Sequence, residues 1–175
     1  NHIFDITFGT SDTSTLAVTA QAAKKDNVYN QLAQVLMGYD QNGVIQKFDE
    51  DGDLTTTGDK IKDAAFLSFS RLLVKDEIKK GSFELELGVT PSYTVNVFDK
   101  RIKILDFGAD TEYKVNSPAG EYGLLYATAS ATVGGAQVLN IASTQTTTLS
   151  DGNTYWKAGL IYYQAGVCVL TASVF

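Results

Sequence analysis

Asp49, Asp51 and Asp53 alternate within "FDEDGDLTTTGDK", residues 48–60. Carboxylates at every second position open a calcium loop of the EF-hand type. Its first, third and fifth residues supply oxygens, a glycine at the sixth makes the turn, and a bidentate glutamate closes the sphere at the twelfth. Counted from Asp49, the sixth residue is Leu54 and the twelfth is Lys60. Lysine brings an ammonium where a carboxylate is needed, and a leucine side chain resists the backbone turn. The preceding segment reads as strand rather than as the helix an EF-hand requires. These residues therefore predict an acidic, solvated turn with no assigned metal ligand. Loose calcium binding by Asp49, Asp51 and Asp53 is the alternative, because calcium accepts irregular oxygen geometry.

Other residues with chemical potential fall away one by one. "DFG" at Asp106–Gly108 resembles the magnesium motif of kinases, but no glycine-rich loop, strand lysine or His-Arg-Asp loop accompanies it. It reads as a strand followed by a turn. Glu84 and Glu86 share one face of a strand, a spacing that suits paired acid chemistry. A regular solvated face gives both acids the same surroundings and no reason for their pKa values to separate. His2 is the only histidine and Cys168 the only cysteine. That excludes an internal disulfide, the usual zinc sites and a histidine-based triad. Cys168 lies in the apolar run "GVCVLTASVF" and reads as a small buried hydrophobe. No phosphate-binding loop or dinucleotide fingerprint is present. The sequence predicts no catalytic residue, no cofactor and no metal.

Composition narrows the partners. The 175 residues are 44% hydrophobic and 19% charged, a globular balance with material for a core. The formal net charge of -6 opposes binding to nucleic acid, which needs a concentrated basic face. The basic runs Lys24-Lys25, Lys79-Lys80 and Lys100-Arg101 are short and lie beside acids. The longest apolar stretch, "GLIYYQAGVCVLTASVF", is broken by Gln164 and Gly166 and reads as two strands rather than a membrane span. No signal peptide is visible. We expect a single domain over residues 1–175, and the start at Asn1 suggests a processed, truncated or excised chain.

The elements that must carry these residues follow from periodicity. "HIFDITFG" predicts a strand. One amphipathic helix is expected over about residues 20–38, with Val28, Leu32, Val35, Leu36 and Tyr39 at helical spacing and Gly38 as its stop. Asn42-Gly43 marks a hairpin tip. "DAAFLSFSRLLV" is ambiguous between strand and helix, whereas "SFELELGV" alternates cleanly with an acidic outer face. "KRIKILDFG", "TEYKV" and "EYGLLYATASA" read as strands, with "NSPAG" as a turn. The Thr/Ser-rich stretch from Val133 to Trp156 reads mainly as a long exposed loop holding one weak strand. "AGLIYYQAGVCVLTASVF" closes the chain as a hairpin-like pair. The expected fold class is α+β, β-rich: a largely antiparallel sheet with one main helix.

Several strings, in order and spacing, resemble a known family: "HIFDITFG", "NVYNQLAQVLMGYD", "KFDEDGDLTTTGDKI", "KDEIKKGSFELELG", "VNSPAGEYGLLYAT" and "GLIYYQAGVCVLTASVF". Together they are similar to a segment of virion structural proteins from marine tailed bacteriophages, notably contractile-tailed ones. The likeness runs over nearly the whole chain and is weakest around residues 130–156. The resemblance implies a particle component located in the virion, usually part of a longer polypeptide, without transferable catalytic or cofactor residues. It implies a non-enzymatic structural subunit, tail- or baseplate-associated, whose partners are other virion proteins and copies of itself, with no nucleic acid and no membrane. The alternative is a surface- or carbohydrate-binding module displayed on a particle or cell, for which exposed aromatics near the acidic loop would speak. In the structural reading, either the C-terminal pair or the N-terminal strand packs against another subunit.

Overall fold

A computed structural model describes residues 4–16, 22–55, 58–69, 76–89, 100–130 and 146–174. The chain order is β1 (Asp5–Thr10), α1 (Ala22–Leu36), β2 (Asp63–Ser68), β3 (Glu84–Val89), β4 (Lys100–Leu105), β5 (Tyr122–Ser130), β6 (Thr146–Thr148), β7 (Thr154–Tyr162) and β8 (Val167–Thr171). A short 3-10 turn, Ala172–Val174, follows β8. The strands form one antiparallel sheet in the order β1-β2-β8-β7-β5-β4-β3, with β6 paired to β7. This is an α+β, β-rich fold. Among the described residues, no helix is long and apolar enough to cross a membrane.

Alternation sorts the strand residues onto two faces. On β2, Ala64 and Phe66 join α1 in one buried cluster, and Ala65 and Leu67 join the other. Both faces of β2 are buried, so its sequence is apolar throughout and its period cannot be read. β3 buries one face only. Leu85 and Leu87 pack on the core while Glu84 and Glu86 stand exposed, and the alternation shows in the sequence.

The first cluster is largely aromatic. Phe48 lies edge-on or tilted to Tyr29 (5.3 Å), Phe66 (5.6 Å) and Tyr162 (6.4 Å), and Tyr122 stacks on Tyr162 at 5.2 Å. The second fills the inside of the curled sheet. Phe69, just past β2, meets Phe4 before β1 at 5.4 Å and Phe83 before β3 at 5.8 Å. Residues flanking the first and last strands of the sheet thus approach one another.

Several sequence expectations are corrected here. The buried side of α1 is Tyr29, Ala33, Leu36 and the adjoining Met37, whereas Val35 and Tyr39 are exposed. Leu36 is buried as expected and Val28 and Leu32 pack partly against the same cluster, but the inward stripe is centred on Tyr29 and Ala33, because Tyr29 reaches the loop beneath. Gly38 ends the helix with φ 78° and donates its N–H to the Ala33 carbonyl. "TEYKV" is not a strand; it contributes one bridge, Lys114 to Tyr122. The weak strand in the Thr/Ser-rich stretch is β6, while residues 131–145 lie outside the described residues, as do His2 and residues 70–75. The C-terminal pair β7–β8 sits mid-sheet, flanked by β5 and β2, so it has no free edge with which to recruit another subunit.

β7 carries one extra residue opposite β5: Leu125 faces Gly159 and Tyr126 faces Lys157, leaving Ala158 unpaired between them. Gly159 holds φ 145°, and a Cβ there would overlap the Val169 carbonyl oxygen on β8. Both facts demand glycine. Gly159→Ala is expected to cost about 3 kcal/mol or more, because backbone strain and overlap with rigid backbone add. Gly152→Ala, also at positive φ but with nothing within 4 Å, is expected to cost only about 1 kcal/mol. Urea unfolding of the two variants checks the difference.

Candidate functional site

The acidic loop stands on a short pinned base. Ile61 donates its N–H to the Phe48 carbonyl (3.0 Å), Glu50 donates to the Asp59 carbonyl (2.9 Å), and Asp49 bridges Lys60. The buried Tyr29 hydroxyl closes this base from the helix side, donating to the Ile61 carbonyl (2.6 Å) and accepting from the Phe48 N–H (3.2 Å). Above the base, carboxylates cap the next backbone in series. Asp49 Oδ1 accepts the Asp51 N–H (3.2 Å), Asp51 Oδ1 the Asp53 N–H (3.2 Å), and Asp53 Oδ1 the Thr55 N–H (2.8 Å). Leu54 then takes φ 60°. The left-handed turn of the calcium-loop pattern is therefore made, by the leucine expected to resist it. The capped backbone on either side holds it there.

Asp49, Asp51 and Asp53 bring carboxylate oxygens within 4.8 Å of one another. The twelfth position explains why this is not a standard calcium sphere. The Lys60 ammonium is hydrogen-bonded to Asp49 Oδ2, and Lys157 approaches Asp51 at 3.8 Å. The chain supplies its own cations to this side of the loop. Burial, then the neighbouring Asp51 carboxylate, push the Asp49 carboxyl above its ordinary range, while the hydrogen bond to Asp49 holds Asp51 below it. The expectation of a solvated turn fails at two residues: Asp49 is 0% and Glu50 2% exposed.

Glu50 lies opposite Asp59 across the base, on the other side from the Asp49–Lys60 pair. Its carboxyl is pushed up to about 7, first by burial and then by the Asp59 carboxylate, against smaller opposing effects of Thr171 and Lys157. Its Oε2 has no hydrogen-bond partner. Glu50 lines a cleft of ≈ 750 Å³ between the loop and the end of β8, together with Asp59, Gln46, Thr171 and Ser173. Only the position of Glu50 between two residues that share a face hinted at this, since alternation sends it to the other side.

The remaining sequence candidates lie elsewhere. Glu84 pairs with Lys103 at 2.8 Å on the outer face of β3. Cys168 is fully buried, and burial raises its thiol well above the ordinary value. Asp106 of "DFG" does follow a strand, but it is buried and accepts from the Gly81 N–H (2.8 Å), the Phe83 N–H (2.9 Å) and the Tyr163 hydroxyl (3.1 Å). It anchors a turn to the core, a role no spacing in the sequence announced. Phe48 and Tyr122, the aromatics beside the acidic loop, are both 0% exposed, so a glycan would find no stacking surface in them.

Removing Lys60 strands the buried Asp49 carboxylate. Lys60→Met is expected to lower stability by about 3 kcal/mol, and adding Asp49→Asn to recover part of that, read by chemical denaturation. Glu50 gives a pH signature of opposite kind. A raised carboxyl favours the fold while protonated, and that contribution is lost as pH rises from the unfolded 4.5 through about 7. In EDTA, Glu50→Gln is expected to be neutral near the acid end and stabilising by roughly 2 kcal/mol above that range, measured by urea titration at several pH values. No protein-family model, no curated protein and no solved structure matches the chain.

Proposed function

We propose that the chain is a non-enzymatic structural subunit of a tailed-bacteriophage particle, associated with the tail or baseplate, that works through protein–protein contacts along β1. The observation that carries this reading is the state of β1. It is the first strand of the sheet order, paired to β2, and no other described strand lies beside it. Its first four residues are exposed, with Ile6 at 53% and Phe8 at 58%. Large apolar side chains on a strand with an open edge are the usual substrate for strand addition by a neighbour. The ordered string resemblance to virion structural proteins supports the same reading. The centre of the sheet is committed to its own core, and of the two end strands β1 exposes large apolar side chains where β3 exposes Glu84 and Glu86.

Phe8→Lys tests this directly. The variant is expected to keep its thermal stability to within about 0.5 kcal/mol, as exposed substitutions do. It should be lost from purified particles when co-produced with the other particle proteins, by immunoblot against the wild-type chain. Normal incorporation of the variant would remove β1 from the account. Absence of the wild-type chain from purified particles would remove the particle itself.

A further inference from the structure

The geometry points to a hard divalent-cation site of the calcium class in the cleft beside β8, built on Glu50 and Asp59 and distinct from the Asp49, Asp51, Asp53 series. Three observations carry it. Glu50 is 98% buried by the 2% exposure it retains, and it faces the cleft with Oε2 lacking any hydrogen-bond partner. Gln46 lines the same cleft, and its Oε1 is also without a partner, its amide nitrogen being committed to the Tyr39 carbonyl at 3.1 Å. Asp59 adds a second carboxylate directly across the base from Glu50.

Two buried acceptors that lack donors are costly, and like charges facing each other across the base of the loop add to the cost. A cation answers both. The lysines nearby are occupied or turned outward. Lys60 is bonded to Asp49, Lys47 to Asp12 at 2.6 Å, and Lys157 leans to Asp51 at 3.8 Å, while Lys62 is exposed. Asp63 in the same lining accepts the Ser14 hydroxyl at 2.5 Å. Carboxylate, amide and hydroxyl oxygens, the last from Thr171 and Ser173 at the end of β8, are the ligand set that calcium takes in six- to eight-fold irregular geometry. Histidine and cysteine are absent from the lining, which disfavours zinc and copper. An ion there would tie the acidic loop to the end of β8.

Calcium titration by isothermal calorimetry, on the full chain stripped with EDTA, tests the site. The wild type is expected to bind one ion, and Glu50→Gln and the exposed Asp59→Asn each to weaken binding by at least about tenfold, the scale on which a disturbed metal shell responds. Asp53→Asn is expected to change the affinity less than about twofold, since Asn keeps the cap on Thr55. Thermal unfolding with and without calcium checks that each variant folds and should reproduce the same ranking through mass action. Absence of calcium binding by the wild type overturns the proposal. So does a titration in which Asp53→Asn abolishes binding and Glu50→Gln leaves it intact.

Discussion

A tyrosine hydroxyl sealed away from water must find its hydrogen bonds in protein, and Tyr29 finds two on the same loop base. It donates to the Ile61 carbonyl and accepts from the Phe48 N–H, and those two residues are themselves hydrogen-bonded. Leaving a buried hydroxyl or amide unpaired costs about 1–3 kcal/mol, so helix and loop are held to one relative register. Burial raises the phenol well above its ordinary pKa, which keeps it protonated and able to donate. The ring then sets the aromatic packing, with Phe48 at 5.3 Å and Phe66 at 6.3 Å. Gly9 on β1 belongs to the same arrangement, since a Cβ there would press on both Tyr29 and Phe66. The helix, the acidic loop and the first strand therefore share one fixed point.

What was legible in the sequence follows from how many faces each element buries. β3 declared itself because only one of its faces is covered, and Glu84 and Glu86 mark the other. β2 did not, because Ala64 and Phe66 go to one cluster while Ala65 and Leu67 go to the other. The helix was legible in extent and stop, but its inward face was not, since Tyr29 is as polar at its tip as it is apolar in its body. The C-terminal pair was legible as a pair. Its place in the middle of the sheet was not, because strand order depends on pairings between distant segments that no local pattern encodes. The buried Asp106 was hidden for the same reason: it is held by partners elsewhere in the fold.

The acidic loop shows how one short stretch can hold two electrostatic situations back to back. On the Asp49 side the chain brings Lys60 and Lys157 to its own carboxylates, and the calcium-like pattern becomes a self-contained turn. On the Glu50 side no ammonium is bonded among the described residues, two acids face one another, and Glu50 Oε2 stands without a donor. Asp106 offers a contrast. It is equally buried, yet its carboxylate is met by two backbone N–H groups and a phenol, so it needs no external charge. Burial alone does not make an acid functional; the difference lies in what surrounds it.

The pairing of β2 with β8 has a consequence for how the protein is made. Roughly a hundred residues of chain separate Phe66 from its partner Val169, a long span to close before the contact is rewarded. The ribosome delivers β2 well before β8, the strand that flanks it on its other side. Until then the apolar run from Ala64 to Leu67 has one bare margin in a crowded cell, a liability of the kind that chaperones shield. The nascent sheet waits for a distant segment to complete its middle.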